Sequence, residues 1–190
     1  MVELGADVNK GDNNRRTPLH SAVLKNSVDA IRVLIELGAD INKGNNDGWM
    51  WMPLHYAAFK NNVDTIRVLH ELGGDVNKGD YSGLTPLYHA AHKNNVDAIR
   101  VLVKLGAIVN KGQNDGRTPL YHAAHENNVD AFRVLHELVA DVNKGIQNQI
   151  LLRELKLKWC FGPRLTAAQF IQEMWPAAKE KPATIAHKAK

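Results

Sequence analysis

The block TPLH at Thr17–His20 returns as MPLH at Met52–His55, then as TPLY at Thr85–Tyr88 and at Thr118–Tyr121. A second block travels with it: GADVNKG ending at Gly11, GADINKG at Gly44, GGDVNKG at Gly79, GAIVNKG at Gly112 and VADVNKG at Gly145. Successive final glycines stand 33, 35, 33 and 33 residues apart. Self-similarity at this period marks stacked supersecondary units, each burying an apolar face on the next, and not one wrapped core. The functional question therefore moves from chemistry to surface.

Residues 80–112 show one unit. Asp80 and Gly83 supply turn chemistry before Thr85-Pro86 opens a short helix. Proline suits the first helical position, where its missing N–H would be unpaired anyway, and Thr85 is a natural N-cap. Leu87, Ala90 and Ala91 form a small-residue apolar face that lets neighbouring helices approach. Asn94 is expected to end this helix in a left-handed conformation, and Asn95 to cap the next. Val96, Ile99, Val101, Leu102 and Leu105 give the second helix an apolar stripe, and Gly106 ends it. Asp97 and Arg100 are expected to pair along its exposed face, as are Asp29/Arg32, Asp64/Arg67 and Asp130/Arg133. The lysines at 10, 43, 78, 111 and 144 read as a solvated ladder.

Helix, turn, helix and a hairpin-like extension carrying TPLH and GADVN together resemble the ankyrin-repeat family over about 1–145. The resemblance implies a mainly α fold, an ankyrin-repeat solenoid of antiparallel helix pairs with projecting hairpin-like loops. A partial repeat, 1–11, precedes full repeats 12–44, 45–79, 80–112 and 113–145. Tyr88 and Tyr121 depart from the family's usual His after Pro-Leu, and Met52 from its Thr. Ile108 replaces the usual Asp, and Val139 the usual Gly. Each puts a local hydrogen bond in question, not the fold.

Both ends of the array differ from its middle. Met1–Leu4 reads as the last turn of an outer helix, so no cap precedes the first full repeat and an apolar edge is expected, as in a piece of a longer array. The next Thr-Pro block is missing at Leu151, and 146–175 reads as a divergent helical C-terminal cap. There Leu151, Leu152, Leu155 and Trp159 form one stripe, although 155–159 also alternates as a strand would. Thr166 with Gln169 makes a capping box for a second helix carrying Phe170, Ile171 and Met174. Residues 176–190 are expected to be a disordered basic tail.

Composition narrows the function. With 44% apolar and 23% charged residues the 190-residue chain has a globular protein's balance, and no run of about 18 apolar residues suits a membrane span. The single cysteine, Cys160, and the lack of a basic-then-apolar leader point to an intracellular setting, cytoplasmic or nuclear. The net charge of +4 divides into −1 before Ile146 and +5 from it onward. A nearly neutral array is a poor footprint for nucleic acid. The basic tail alone offers the alternative reading, localisation to an acidic membrane surface or nucleic acid.

No catalytic or phosphate-binding motif is present, so the expectation is a non-enzymatic scaffold with no cofactor, no metal and no small-molecule substrate. His89/His92 and His122/His125 could bring four imidazoles to one patch, but repeat duplication explains their recurrence without a metal. A protein partner is expected at the hairpin tips and the concave inner-helix face. The two-residue insertion near Trp49, Met50 and Trp51 places costly apolar side chains in a loop, with Tyr81 on a later tip. Family resemblance adds Leu24, Phe59, His92 and His125 after the paired small residues, and Arg16, Leu84 and Arg117 just before Thr-Pro. A monomer is expected unless the uncapped edge associates.

Overall fold

Pro18, Pro53, Pro86 and Pro119 each stand at the start of a helix, where the missing N–H costs nothing. The residue before each is extended, with ψ between 163° and 166°, because a following proline sterically excludes the helical region. The computed structural model describes residues 5–45 and 50–138. Its helices are α1 (Pro18–Leu24), α2 (Val28–Glu36), α3 (Pro53–Phe59), α4 (Val63–Glu71), α5 (Pro86–His92), α6 (Val96–Lys104), α7 (Pro119–His125) and α8 (Val129–Glu137). No strand occurs among the described residues.

Odd-numbered helices lie side by side in one layer and even-numbered ones in a second, each odd helix antiparallel to its even partner. Asn26, Asn61, Asn94 and Asn127 make the turn within each pair with φ of 53°, 58°, 57° and 61°. Asparagine tolerates this left-handed region better than most residues, so the helix can stop and reverse there. The following N–H closes the turn on the carbonyls of Ala22, Ala57, Ala90 and Ala123.

The core sits between the layers. Ala57, Ala58, Ala90, Ala91 and Ala123 are fully buried and let the inner helices approach closely, while Ile31, Ile66, Ile99, Leu69, Leu102 and Leu135 fill the space behind them.

Polar side chains then bolt one pair to the next, and here three expectations change. Asn95 and Asn128 do not cap their own helices. Asn95 Nδ2 donates to the carbonyls of Ala58 and Phe59 at 2.9 Å each, and Asn128 Nδ2 to those of Ala91 and His92 at 3.0 and 2.7 Å. Those carbonyls end the preceding inner helix, and a helix end needs outside donors. Arg32 and Arg100 reach past their own aspartates to Glu71 and Glu137 on the following outer helix, at 3.2 and 3.3 Å. Within the lysine ladder, Lys43 and Lys111 are half-buried and donate to the backbone carbonyls of Asn9 and Asn77.

Between pairs, the chain runs out to a tip and back. Asp7, Asp40 and Asp75 each accept from the N–H two residues on, tightening the turn that starts the tip. Ile108 stands in the same place with no carboxylate to offer and is exposed. The tip itself closes by a backbone bond: Asp12 to Arg16, Asn45 to Trp51, Asp80 to Leu84 and Gln113 to Arg117, at 2.9–3.1 Å. At Gly79 a Cβ would come within 2.8 Å of Gly83 backbone, which explains the glycine ending the repeated block.

The expected Met1–Leu4 turn, the C-terminal cap at 146–175 and the tail at 176–190 lie outside the described residues.

Candidate partner-binding face

Three positions on each inner unit converge: the residue before Thr-Pro and those four and seven places after the N-cap. In the second pair these are Trp51, Tyr56 and Phe59. Asn45 fixes them locally, its Oδ1 accepting from Trp51 N–H at 2.9 Å and its Nδ2 donating to the Tyr56 hydroxyl at 2.6 Å. The Trp51 ring then lies over Tyr56, Phe59 and His89, with centroids 5.1, 5.2 and 4.3 Å away.

The contacts continue along the stack. Tyr88 meets His89 edge-on at 5.0 Å, stacks on His92 at 5.8 Å and meets His122 at 4.5 Å. Tyr121 contacts His122 at 5.2 Å and stacks on His125 at 6.2 Å, with the Arg117 guanidinium 5.3 Å from its centre. At the other end His20 touches Tyr56 at 5.9 Å. An unbroken strip of aromatic and imidazole rings thus runs from α1 to α7, with each edge-to-face pair worth ~0.5–1.5 kcal/mol beyond its area.

The two histidines of the repeated block, which the family resemblance places in polar contact with the Thr and nearby backbone, hold this face from below. His20 Nδ1 accepts from Thr17 N–H at 3.1 Å, which puts the proton on Nε2, and Nε2 donates to the Trp51 carbonyl at 3.1 Å. His55 repeats the arrangement, from Met52 N–H at 3.3 Å to the Leu84 carbonyl at 2.9 Å. Tyr88 and Tyr121 replace this imidazole in the later pairs, where Thr85 and Thr118 instead accept from the Tyr88 and Tyr121 N–H at 3.3 Å. The signal was present in the repeated TPLH, but its partner carbonyl lies about one period away.

Charge on the face is arranged by burial. Desolvation, helped by the neighbouring His89, pushes His55 down to about 3. Desolvation also lowers His122 to about 4, with the Arg117 charge adding to it. His89 and His92 are lowered chiefly by burial too. Burial would raise the Asp80 carboxyl, but hydrogen bonding to His89 and Leu84 N–H outweighs it and holds the group low. The His89 Nε2 to Asp80 Oδ2 distance is 3.5 Å, with both side chains buried. At neutral pH the His55, His89, His92 and His122 rings are consequently uncharged.

The expected contact residues fall into distinct settings. Tyr81 is 75% exposed and Met50 49%, both at tips. Met50 takes φ 55°, the left-handed place that Gly83 and Gly116 fill in later tips. Trp51, expected in an exposed loop, is half-buried, because Phe59 and His89 offer it a ring surface to fold onto. Leu84, expected on the surface, is only 7% exposed: its backbone N–H and C=O are tied to Asp80 and His55, which turns the side chain inward. Leu24, Phe59 and His92 are half-buried along the groove. Arg16 is half-buried and pairs with Asp12 at 3.0 Å. Arg117 and His125 are exposed, paired with Asp115 and Glu126 at 3.3 and 3.0 Å. Trp49 lies outside the described residues.

A cleft of about 410 Å³ opens between the tips before α5 and α7, walled by Tyr81, Tyr88, Asn114, Asp115, Arg117 and His122. Among the described residues no group of three or more His, Cys, Asp or Glu side chains is placed to hold a metal ion. No helix among them is long and apolar enough to cross a membrane.

The sequence model of a family described as ankyrin repeats (three copies) matches residues 1–80 and 54–146. No curated protein matches the chain. Ankyrin-repeat arrays are in general protein–protein interaction modules and typically non-enzymatic. With the match spanning most of the chain and the helix pairs stacked as described, the protein belongs to the ankyrin-repeat family.

Proposed function

We propose that this protein is a non-enzymatic binding module that takes a protein partner across the tips and the inner-helix face. The observation that carries the reading is the ring strip from His20 to His125, with Tyr81 and Met50 standing free at the tips beside it. Exposed aromatic and Met side chains beside half-buried rings match the anchor-and-rim anatomy of protein interfaces. Arg16, Leu24, Trp49, Trp51, Phe59, Leu84, His92, Arg117 and His125 complete the proposed contact set, Leu84 by fixing the shape of its tip. We read the setting as intracellular and the chain as monomeric, with no cofactor, small-molecule substrate, nucleic acid or membrane as its ligand.

The test pairs a tip variant with an outer-face variant. Tyr81→Ala should weaken a partner co-purified from the native cell by more than ~1 kcal/mol, while Arg67→Ala on the outer helix should leave binding unchanged. Equal losses from both, or loss only from the outer variant, would put the interface elsewhere.

A further inference from the structure

The groove over α3 and α5 carries a charge pattern beyond its rings. Lys60 and Lys93 occupy the same place, the residue that follows each inner helix, and both are exposed. Their ammonium groups lie 6.0 and 4.7 Å from the centre of one ring, Phe59. Neither is in an ion pair among the described residues. Two acids of the neighbouring pairs are engaged elsewhere: Asp80 is buried with His89, and Glu126 pairs with His125.

Two cations gathered on one aromatic ring repel each other, and no ion pair among the described residues offsets them. Phe59 is in turn 5.2 Å from Trp51. The site therefore offers an apolar ring floor and two positive charges outside any ion pair, all within one groove. Charge reverses one pair further on, where Glu126 takes the place of Lys60 and Lys93.

We propose that the groove formed by Trp51, Tyr56, Phe59, Lys60 and Lys93 docks an acidic segment of a partner protein. A carboxylate settles between the two lysines and a large apolar side chain lies against Trp51 and Phe59. Glu126 repels further acid towards α7, so the acidic part is held over α3 and α5. The inference rests on the protein-binding reading above and names the partner's chemistry.

The test is a selection of random phage-displayed dodecapeptides on the full chain and on its K60E/K93E variant. The parent should enrich peptides of net negative charge that carry an aromatic residue or Leu. The best of them, synthesised, should bind the variant at least about tenfold more weakly and lose affinity as salt rises. Thermal melts of the variant establish that it is folded; if its melt is shifted, Lys60→Gln/Lys93→Gln replaces it. Enrichment of neutral or basic peptides, or of acidic ones indifferent to both double variants, overturns the groove and leaves protein binding elsewhere on the array intact. A short oligouridylate that binds the parent more tightly than the peptide gives the groove to phosphate and overturns it as well. No enrichment on either chain counts against the groove and the reading beneath it.

Discussion

His55 joins two helix pairs only while its ring is neutral. Nδ1 accepts from Met52 N–H and Nε2 donates to the Leu84 carbonyl, so a second ring proton would point N–H at N–H. Burial and His89 hold its folded-state value down to about 3, against 6.5 for the exposed ring. The unfolded chain therefore takes up the proton first as pH falls. The contribution is whole above about pH 6.5 and is lost progressively between 6.5 and 3, amounting to about 2 kcal/mol by pH 5. His122, lowered to about 4, acts in the same direction. Urea unfolding at pH 7.5 and pH 5 should show the protein less stable in acid. His55→Phe should cost ~1–3 kcal/mol at pH 7.5, since it leaves the Met52 N–H without its acceptor and takes one of two donors from the Leu84 carbonyl. The same variant should narrow the gap between the two pH values by about 2 kcal/mol. An unchanged gap would assign the acid sensitivity to other groups.

At the scale of one element, the turn into α6 separates two roles that the same asparagine could play. A capping Asn95 would accept from its own helix, whereas the observed Asn95 donates to Ala58 and Phe59 at the end of α3. Serine and aspartate are good N-caps, but aspartate has no donor and the serine hydroxyl is a bond shorter than the amide that crosses the stack. Asn95→Ser and Asn95→Asp should therefore each lose ~1–2 kcal/mol in denaturant melts, close to Asn95→Ala. Full rescue by serine would restore the capping role. This is also where sequence reading stops. Pro86, Asn94 and Gly106 were legible because each answers a demand of its own backbone, a helix start, a left-handed turn, a helix end. Asn95, His55 and Lys111 answer to carbonyls roughly one period away, and recurrence alone does not say which atom a side chain reaches. Trp51 is similar: the insertion marked the loop, but the inward turn of the ring depends on Phe59 and His89, from two other helix positions.

At the scale of the whole array, the described helix pairs are held by contacts with their neighbours, and one equivalent valine in each outer helix reports on them. Val68, Val101 and Val134 are 6%, 7% and 5% exposed, but Val33 in α2 is 51% exposed. α4, α6 and α8 each have an outer helix packed before them, and their valine is buried; α2 has none among the described residues, and Val33 is open. Val68→Ala should cost ~2 kcal/mol, two buried methyl groups plus the cavity they leave, and Val33→Ala should cost no more than ~0.5 kcal/mol. Because a stack is stabilised largely by nearest-neighbour interfaces, the first loss has a direction. Weakening the seam between α2 and α4 releases α1 and α2 while the later pairs keep theirs. In hydrogen exchange, Val68→Ala should accelerate the amides of α1 and α2 well beyond those of α5 to α8. Equal acceleration in all eight helices would show that the array opens as one cooperative body and that the seams are not separable.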